Sequence, residues 1–177
     1  MNAYTQTGAI KMILKIRIGH IRITFTIATV IDVLGVNSKL NDKEHILMWD
    51  FDKQDLSTII DNLQVIQHQF ELPQIFILKS SEPNNYIAYC FARLPWAQAR
   101  AIVGMTDGID EAYFKWGVFR KRFTLRVGAK LGIKPKLAFI LQSRVPDQCS
   151  IEELRSWVKY ETLDGHHNQM VHFIEVP

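Results

Sequence analysis

Apolar and polar residues alternate over several short stretches of the chain, as they do in β-strands with one buried face. In residues 15–27 the apolar positions have a period of two, and the phase slips at Gly19 and His20. This slip predicts two strand segments joined by a tight turn or a bulge. Apolar runs predict five further strands, at residues 44–52, 74–79, 86–92, 121–127 and 136–142.

Three other stretches have the spacing or the end signals of helices. Residues 55–70 carry apolar side chains every three or four positions, and their first residue is the predicted N-cap. Residues 96–103 follow a proline, which suits a helix start. Ser150 and Glu153 form a capping-box sequence for a last helix that reaches about Tyr160. The order of these elements predicts an α+β fold, a mostly antiparallel sheet with helices packed on one face.

The size and composition of the chain favour one compact domain. It has 177 residues, and 47% of them are hydrophobic, which is enough for a substantial core. We therefore predict a single domain over residues 1–177. Within it, residues 1–43 would form N-terminal strands and residues 147–177 a C-terminal helix and tail.

Cysteine usage and the N-terminal sequence exclude several classes of protein. Cys90 and Cys149 are the two cysteines, so a cysteine-only zinc site is excluded and a disulfide framework is not expected. A reducing cytoplasmic location fits this usage best. Charged residues interrupt the apolar run at residues 10–36, which predicts neither a membrane span, nor a signal peptide, nor a membrane partner.

The most informative motif is an Asp-x-Asp step at the end of a predicted strand. Asp50 and Asp52 follow four apolar residues, and side chains two apart on a strand point to the same face. Two like charges held so close repel each other unless a cation neutralises them, and a divalent metal is the usual partner. Asp110 supplies a third acid after another apolar residue, although it could equally cap a helix or turn. These acids predict a metal site.

A basic stretch follows the third acid. Residues 112–146 contain no Asp or Glu, although the net charge of the whole chain is only +3. Such a window can bind phosphates, but it can also be a solvated face. Aromatic residues interleave with its cations, which suits either base stacking or core packing. These aromatic residues are Tyr113, Phe114, Trp116, Phe119 and Phe123.

The order of these motifs resembles that of the archaeo-eukaryotic primase superfamily, the primase-polymerases. Residues 46–52 (ILMWDFD) are similar to the family's first motif, a strand that ends in two acids. Residues 108–113 (GIDEAY) are similar to the motif of the third acid, and residues 120–130 (RKRFTLRVGAK) to the basic strand that follows it. The resemblance covers roughly residues 44–140 and rests on order and spacing more than on long identities.

The chain departs from the family pattern at two places. The family carries Ser-x-His on a hairpin, whereas residues 79–89 (KSSEPNNYIAY) contain the serines and no histidine. Ile87 or a neighbour stands where that histidine, which contacts the incoming nucleotide in the family, would be expected. Thr124 aligns with an arginine of the family's basic strand. Arg126 lies two positions later, on the same face of a strand, and could substitute for it.

The resemblance implies an RRM-like primase-polymerase core that performs metal-assisted nucleotidyl transfer in the replication of a plasmid, virus or mobile element. Asp50, Asp52 and Asp110 would be the catalytic residues and the ligands of Mg²⁺ or Mn²⁺. The implied partners are a single-stranded DNA template or RNA, nucleoside triphosphates and other replication proteins. The residues implied to bind nucleotide or nucleic acid are Ser80, Ser81, Arg122, Arg126 and Lys130.

Two alternatives to an enzyme remain open at the level of sequence. A non-catalytic nucleic-acid-binding domain of the same fold, acting in replication initiation, would account for the missing histidine. A structural protein could use the same basic face to bind an acidic partner.

Overall fold

A computed structural model describes residues 11–18, 20–28, 30–81, 83–130, 132–154 and 157–163. The chain divides into two compact units. One comprises Val33–Tyr160, and the other comprises Met1–Asp32 with Glu161–Pro177. The prediction of a single domain stays a prediction. The predicted C-terminal tail lies outside the described residues from residue 164 onward.

The described elements include both strands and helices, and the strands pair antiparallel, which confirms the predicted α+β class. In chain order they are β1 (Lys11–Ile18), β2 (Ile21–Ala28), β3 (Val30–Asn37), β4 (Glu44–Phe51), α1 (Leu56–Gln69), β5 (Ile75–Ser81), β6 (Asn85–Pro95), α2 (Trp96–Gly104), α3 (Glu111–Arg120), β7 (Thr124–Arg126), β8 (Lys136–Leu141), a 3₁₀ turn (Ile151–Glu153) and β9 (Trp157–Leu163). None of the helices in the described part of the chain is long and apolar enough to cross a membrane.

The strands form a hairpin and two sheets. The hairpin pairs β1 with β2, and the sheets have the orders β7-β3-β9 and β4-β6-β5-β8. The pairs β1–β2, β3–β7, β4–β6, β5–β6 and β5–β8 all run antiparallel. The hairpin confirms the two predicted N-terminal strand segments, which pair up to Ile18 and Ile21. Gly19, at the predicted turn, lies outside the described residues.

One face of the four-stranded sheet is covered by α1 and α2. The Nε1–H of Trp49 in β4 donates to Thr106 Oγ1, just after α2, at 2.8 Å. Asn62 of α1 donates to the neighbouring Asp107 carbonyl at 3.0 Å, so α1 lies beside α2 on this side. Because neighbouring residues of a strand point to opposite faces, Asp50 lies on the face away from these helices.

The last predicted helix is wrong beyond its first turn. Ser150 and Glu153 make both hydrogen bonds of the capping box, but they begin a 3₁₀ turn of only three residues. Leu154 is already extended, and residues 157–163 form β9, which pairs beside β3. Pairing in a sheet therefore overrides the local helix-start signal, as it often does for stretches rich in aromatic and β-branched residues.

The pattern of the sequence did not predict α3, and Gly117 is part of the reason. Glycine and aromatic residues weaken the helical signal of this segment. In the structure Gly117 is buried against Phe123, and a Cβ at position 117 would collide with that ring. The glycine is thus needed for close packing of α3 against the segment that leads into β7.

His45 forms a buried polar contact where β4 begins. It is 2% exposed, its Nδ1 lies 3.0 Å from Ser38 Oγ, and its ring lies 5.1 Å from that of Trp96. Ser38 Oγ accepts the Phe123 N–H at 3.1 Å, which leaves the hydroxyl proton available for a neutral imidazole. Burial, with the nearby charge of Lys39, lowers the pKa of His45 to about 4.

We predict that His45 makes stability depend on pH. The folded-state pKa lies below the ordinary value of 6.5, so stability is full above that value and is lost as the pH falls from about 6.5 to about 4. The difference in free energy of unfolding between wild type and His45→Gln should shrink by about 2 kcal/mol over this range, measured by urea denaturation. A constant difference would contradict the assignment.

Candidate active site

The free edge of β4 positions the third acid beside the first. β4 is the outer strand of its sheet, so its other edge needs hydrogen-bond partners from elsewhere. The backbone N–H of Asp110 donates to the Asp50 carbonyl at 2.9 Å, and the Tyr113 hydroxyl donates to the Met48 carbonyl at 3.0 Å. The start of α3 is thereby fastened along β4, and residue 110 lies next to residue 50.

Asp110 is also the N-cap of α3. Its Oδ1 accepts the Tyr113 N–H at 2.5 Å. The capping alternative raised by the sequence is therefore confirmed. It does not exclude a second role, because a carboxylate has a second oxygen that can accept another partner.

The other two acids lie at the end of β4. Asp50 lies opposite Ile87 of β6, and Asp52 is the first residue after the strand. The chain beyond them is held by the β5–β6 hairpin, since the Lys53 N–H donates to Asn85 Oδ1 at 2.9 Å. Lys53 itself has a left-handed backbone (φ 56°), which marks a sharp change of direction after the acids.

Asp50 experiences the charges of both other acids. Asp50 is only partly exposed, and burial raises the pKa of its carboxyl to about 7, with further contributions from the charges of Asp52 and Asp110. Arg126 opposes this rise. The carboxyl group of Asp50 thus lies within reach of both other acids and of a basic residue.

Lys130 belongs to the same group of charges. Its pKa is lowered, first by burial and then by Arg126, while Asp52 and Asp50 act in the opposite direction. Arg126 lies in β7, and its Nη1 donates to the Ile133 carbonyl at 3.2 Å. We call these five residues, Asp50, Asp52, Asp110, Arg126 and Lys130, the acid–base cluster.

The other three residues singled out in the sequence have contacts outside this cluster. Ser80 is buried, and Ser81 Oγ accepts the Asn85 side-chain amide at 3.0 Å. Arg122 lies between α3 and β7, where its Nε is buried without a hydrogen-bond partner and its backbone N–H donates to the Gly117 carbonyl. Their predicted role in nucleotide binding stays a prediction.

Pattern reasoning gave neither Tyr113 nor Asn85 a role in positioning the acids. Tyr113 attaches α3 to β4 and lies partly buried near Asp50, while Asn85 holds the backbone that follows Asp52. Asn84 and Asn85 follow a proline, which predicts a turn. The sequence does not predict that this turn contacts the end of β4. Tyr113 could have been found from the sequence only if a helix beginning after Asp110 had been recognised.

An open cavity lies on the same sheet face as the acids. Ile87 pairs with both Asp50 and Leu78, and cross-strand partners project to the same side. Leu78 and Tyr89 line a cavity of about 560 Å³, and Arg126 of the acid–base cluster forms part of its wall. Cavities that bind small molecules have volumes of about 300–1,000 Å³ and are mostly apolar. The cluster therefore has ligand-sized space beside it.

The donor chemistry of the three acids suits a hard divalent cation, since Mg²⁺ and Mn²⁺ take oxygen ligands. Within the described ranges, however, no group of three or more His, Cys, Asp or Glu side chains is arranged so that it could hold a metal ion. One oxygen of Asp110 is already occupied by the Tyr113 N–H. Mg²⁺ sites commonly use one or two carboxylates together with phosphate oxygens of the substrate, so the acids fit a site that the substrate completes.

Comparison of the chain with protein-family models, curated proteins and solved structures gives no match. The interpretation of the acid–base cluster therefore depends on its own geometry and chemistry.

We predict that the charge of Asp50 destabilises the fold in the absence of metal. The folded-state pKa of Asp50 is about 7, above the ordinary 3.8. Below about pH 4 this carboxyl is protonated in both the folded and the unfolded state, so it affects stability little. As the pH rises towards 7 the unfolded state releases the proton first, and stability is lost. In chelator at pH 8, Asp50→Asn should raise the free energy of unfolding by about 2 kcal/mol, measured by urea denaturation.

A matched control is Asp61→Asn, which changes an exposed acid of α1 on the far side of the sheet. It should leave the stability within about 0.5 kcal/mol of the wild type. Destabilisation by Asp50→Asn at pH 8 would show that burial and the neighbouring like charges do not disfavour the ionised carboxyl group.

Proposed function

We propose that this protein is a primase- or DNA-polymerase-type nucleotidyltransferase that acts in the replication of a plasmid, virus or mobile element. The observation that carries the proposal is the acid–base cluster, in which the free edge of β4 holds Asp110 beside Asp50. Acids that can hold a divalent cation, next to cations that can bind phosphates, are the parts that nucleotidyl transfer needs.

In this proposal the three aspartates would hold Mg²⁺ or Mn²⁺ together with phosphate oxygens of the substrate. When bound, such an ion polarises the reacting phosphate and stabilises the negative charge of the leaving group. Asp50 and Asp52 contribute carboxylates from the end of β4, and Asp110 contributes the oxygen that does not cap α3.

Arg126 and Lys130 bind the triphosphate in this proposal. Both lie within electrostatic reach of Asp50, so they can hold phosphate oxygens against the acids and balance their charge. The apolar cavity beside Arg126 gives the nucleoside part of the substrate a place on the same face. Together these groups orient a nucleoside triphosphate for in-line attack by a hydroxyl group.

The proposed substrates are a single-stranded DNA or RNA template and nucleoside triphosphates, and the proposed setting is the cytoplasm. Arg122, Ser80 and Ser81 would bind the nucleotide or the nucleic acid in this proposal.

One observation favours a second candidate, a non-catalytic nucleic-acid-binding domain of replication initiation. Ile87 stands directly opposite Asp50 on β6 and is 2% exposed. An apolar side chain there cannot donate the hydrogen bond that a histidine would give to a nucleotide. A domain that only binds nucleic acid would not need that donor.

We predict that purified protein extends a primed template, or synthesises a primer, when supplied with nucleoside triphosphates and Mn²⁺. Asp50→Ala should reduce synthesis to the level of a reaction without protein, because it removes a carboxylate that holds the ion. Asp61→Ala, which removes an exposed acid on the far side of the sheet, should retain the wild-type rate. Product length on a denaturing gel is the readout.

Equal amounts of product from wild type and Asp50→Ala would refute the catalytic proposal. If neither makes product and the wild type still binds DNA in chelator, with an affinity that falls steeply with salt, the binding-domain candidate is supported instead.

A further inference from the structure

Two aromatic side chains of α3 are exposed to solvent. Phe119 is 78% exposed and Trp116 is 40% exposed. Their aromatic neighbours in sequence behave differently, since Phe123 is fully buried, and Tyr113 and Phe114 stack with its ring at 5.3 and 6.2 Å. The structure therefore divides the aromatic residues of the basic window into a core group and a surface pair.

The surface pair forms one continuous patch with a cation. The rings of Trp116 and Phe119 lie 5.8 Å apart in an edge-to-face arrangement, and the guanidinium of Arg120 lies 5.2 Å from the Trp116 ring centroid. A single exposed phenylalanine would need no explanation. An aromatic pair that carries an arginine offers flat apolar faces and a positive charge at the same place.

The charges around this patch favour a polyanion. Lys121 follows Arg120 as the exposed C-cap of α3. Glu111, the acid of this helix, is paired with Lys115 at 2.8 Å. Residues 112–146 contain no Asp or Glu.

We infer that the patch formed by Trp116, Phe119, Arg120 and Lys121 binds single-stranded nucleic acid, with bases stacked on the aromatic rings and phosphates bound by the two cations. Stacking on exposed side chains needs unpaired bases, because a duplex hides their faces. The absence of acids in this window favours a polyanion over an apolar protein surface.

The inference rests on the proposed function, since it takes the bound strand to be the template of the reaction at the acids. Asp110 begins α3 and Arg120 ends it, so the helix places the patch about 15 Å from the third acid. A strand that leaves the acid–base cluster along α3 would reach the patch within a few nucleotides.

The test is the affinity of the full chain for a fluorescein-labelled oligodeoxythymidine, measured by anisotropy in EDTA. Phe119→Ala should raise the Kd about tenfold, whereas Phe119→Tyr should stay within about twofold of the wild type, because only the first removes the stacking face. The matched control is Phe139→Ala, which removes another exposed aromatic (40%) that pairs with Ile77, on the face of the sheet away from the acids.

Salt dependence separates stacking from charge. Lys121→Gln should reduce the slope of log affinity against log salt by about 0.7, whereas Phe119→Ala should leave that slope unchanged. Circular dichroism melts check that each variant is folded.

The inference is overturned if Phe119→Ala binds within twofold of the wild type, if Phe139→Ala loses as much affinity, or if Phe119→Leu binds as tightly as Phe119→Tyr. The last result would mean an apolar contact rather than stacking. Because binding is measured in chelator, failure of catalysis with intact stacking would refute the proposed function alone. If the wild type is catalytically active and Phe119→Ala binds the oligonucleotide as tightly as the wild type, the stacking site alone is refuted.

Discussion

The hydrogen bond from the Asp110 N–H to the Asp50 carbonyl is the contact on which the site depends. β4 lies at the edge of its sheet, and an uncovered edge would leave backbone groups without partners. On the same edge the Ser38 carbonyl accepts the Ile46 N–H at 2.8 Å, and the Tyr113 hydroxyl donates to the Met48 carbonyl farther along. Covering this edge therefore brings the third acid, 60 residues away in sequence, next to the first.

This arrangement has a cost for folding. Asp50 is largely surrounded by protein with two like charges nearby, and its pKa is raised to about 7. Arg126 and Lys130 offset the repulsion only in part. A divalent cation and the phosphates of a substrate would satisfy both signs of charge in the cluster.

Sequence patterns revealed the local parts of this site and missed the contacts between distant segments. The period of two predicted that Asp50 and Asp52 share a strand face, whereas β4 ends at Phe51 and Asp52 follows it. The position of Asp110 depends on which edge of which strand it covers, and no local pattern contains that information. The same limit explains the last helix, where the capping box at Ser150 is real but pairing with β3 extends the chain into β9.

A crystal structure of the protein with Mn²⁺ and a non-hydrolysable nucleoside triphosphate tests the central claim most directly. We predict an anomalous Mn²⁺ peak at about 2.0–2.2 Å from carboxylate oxygens of Asp50 and Asp52. Asp110 should complete the site, and the triphosphate should lie against Arg126 and Lys130. A nucleotide bound elsewhere, or a fully loaded crystal in which no ion contacts Asp50 or Asp52, would contradict the account.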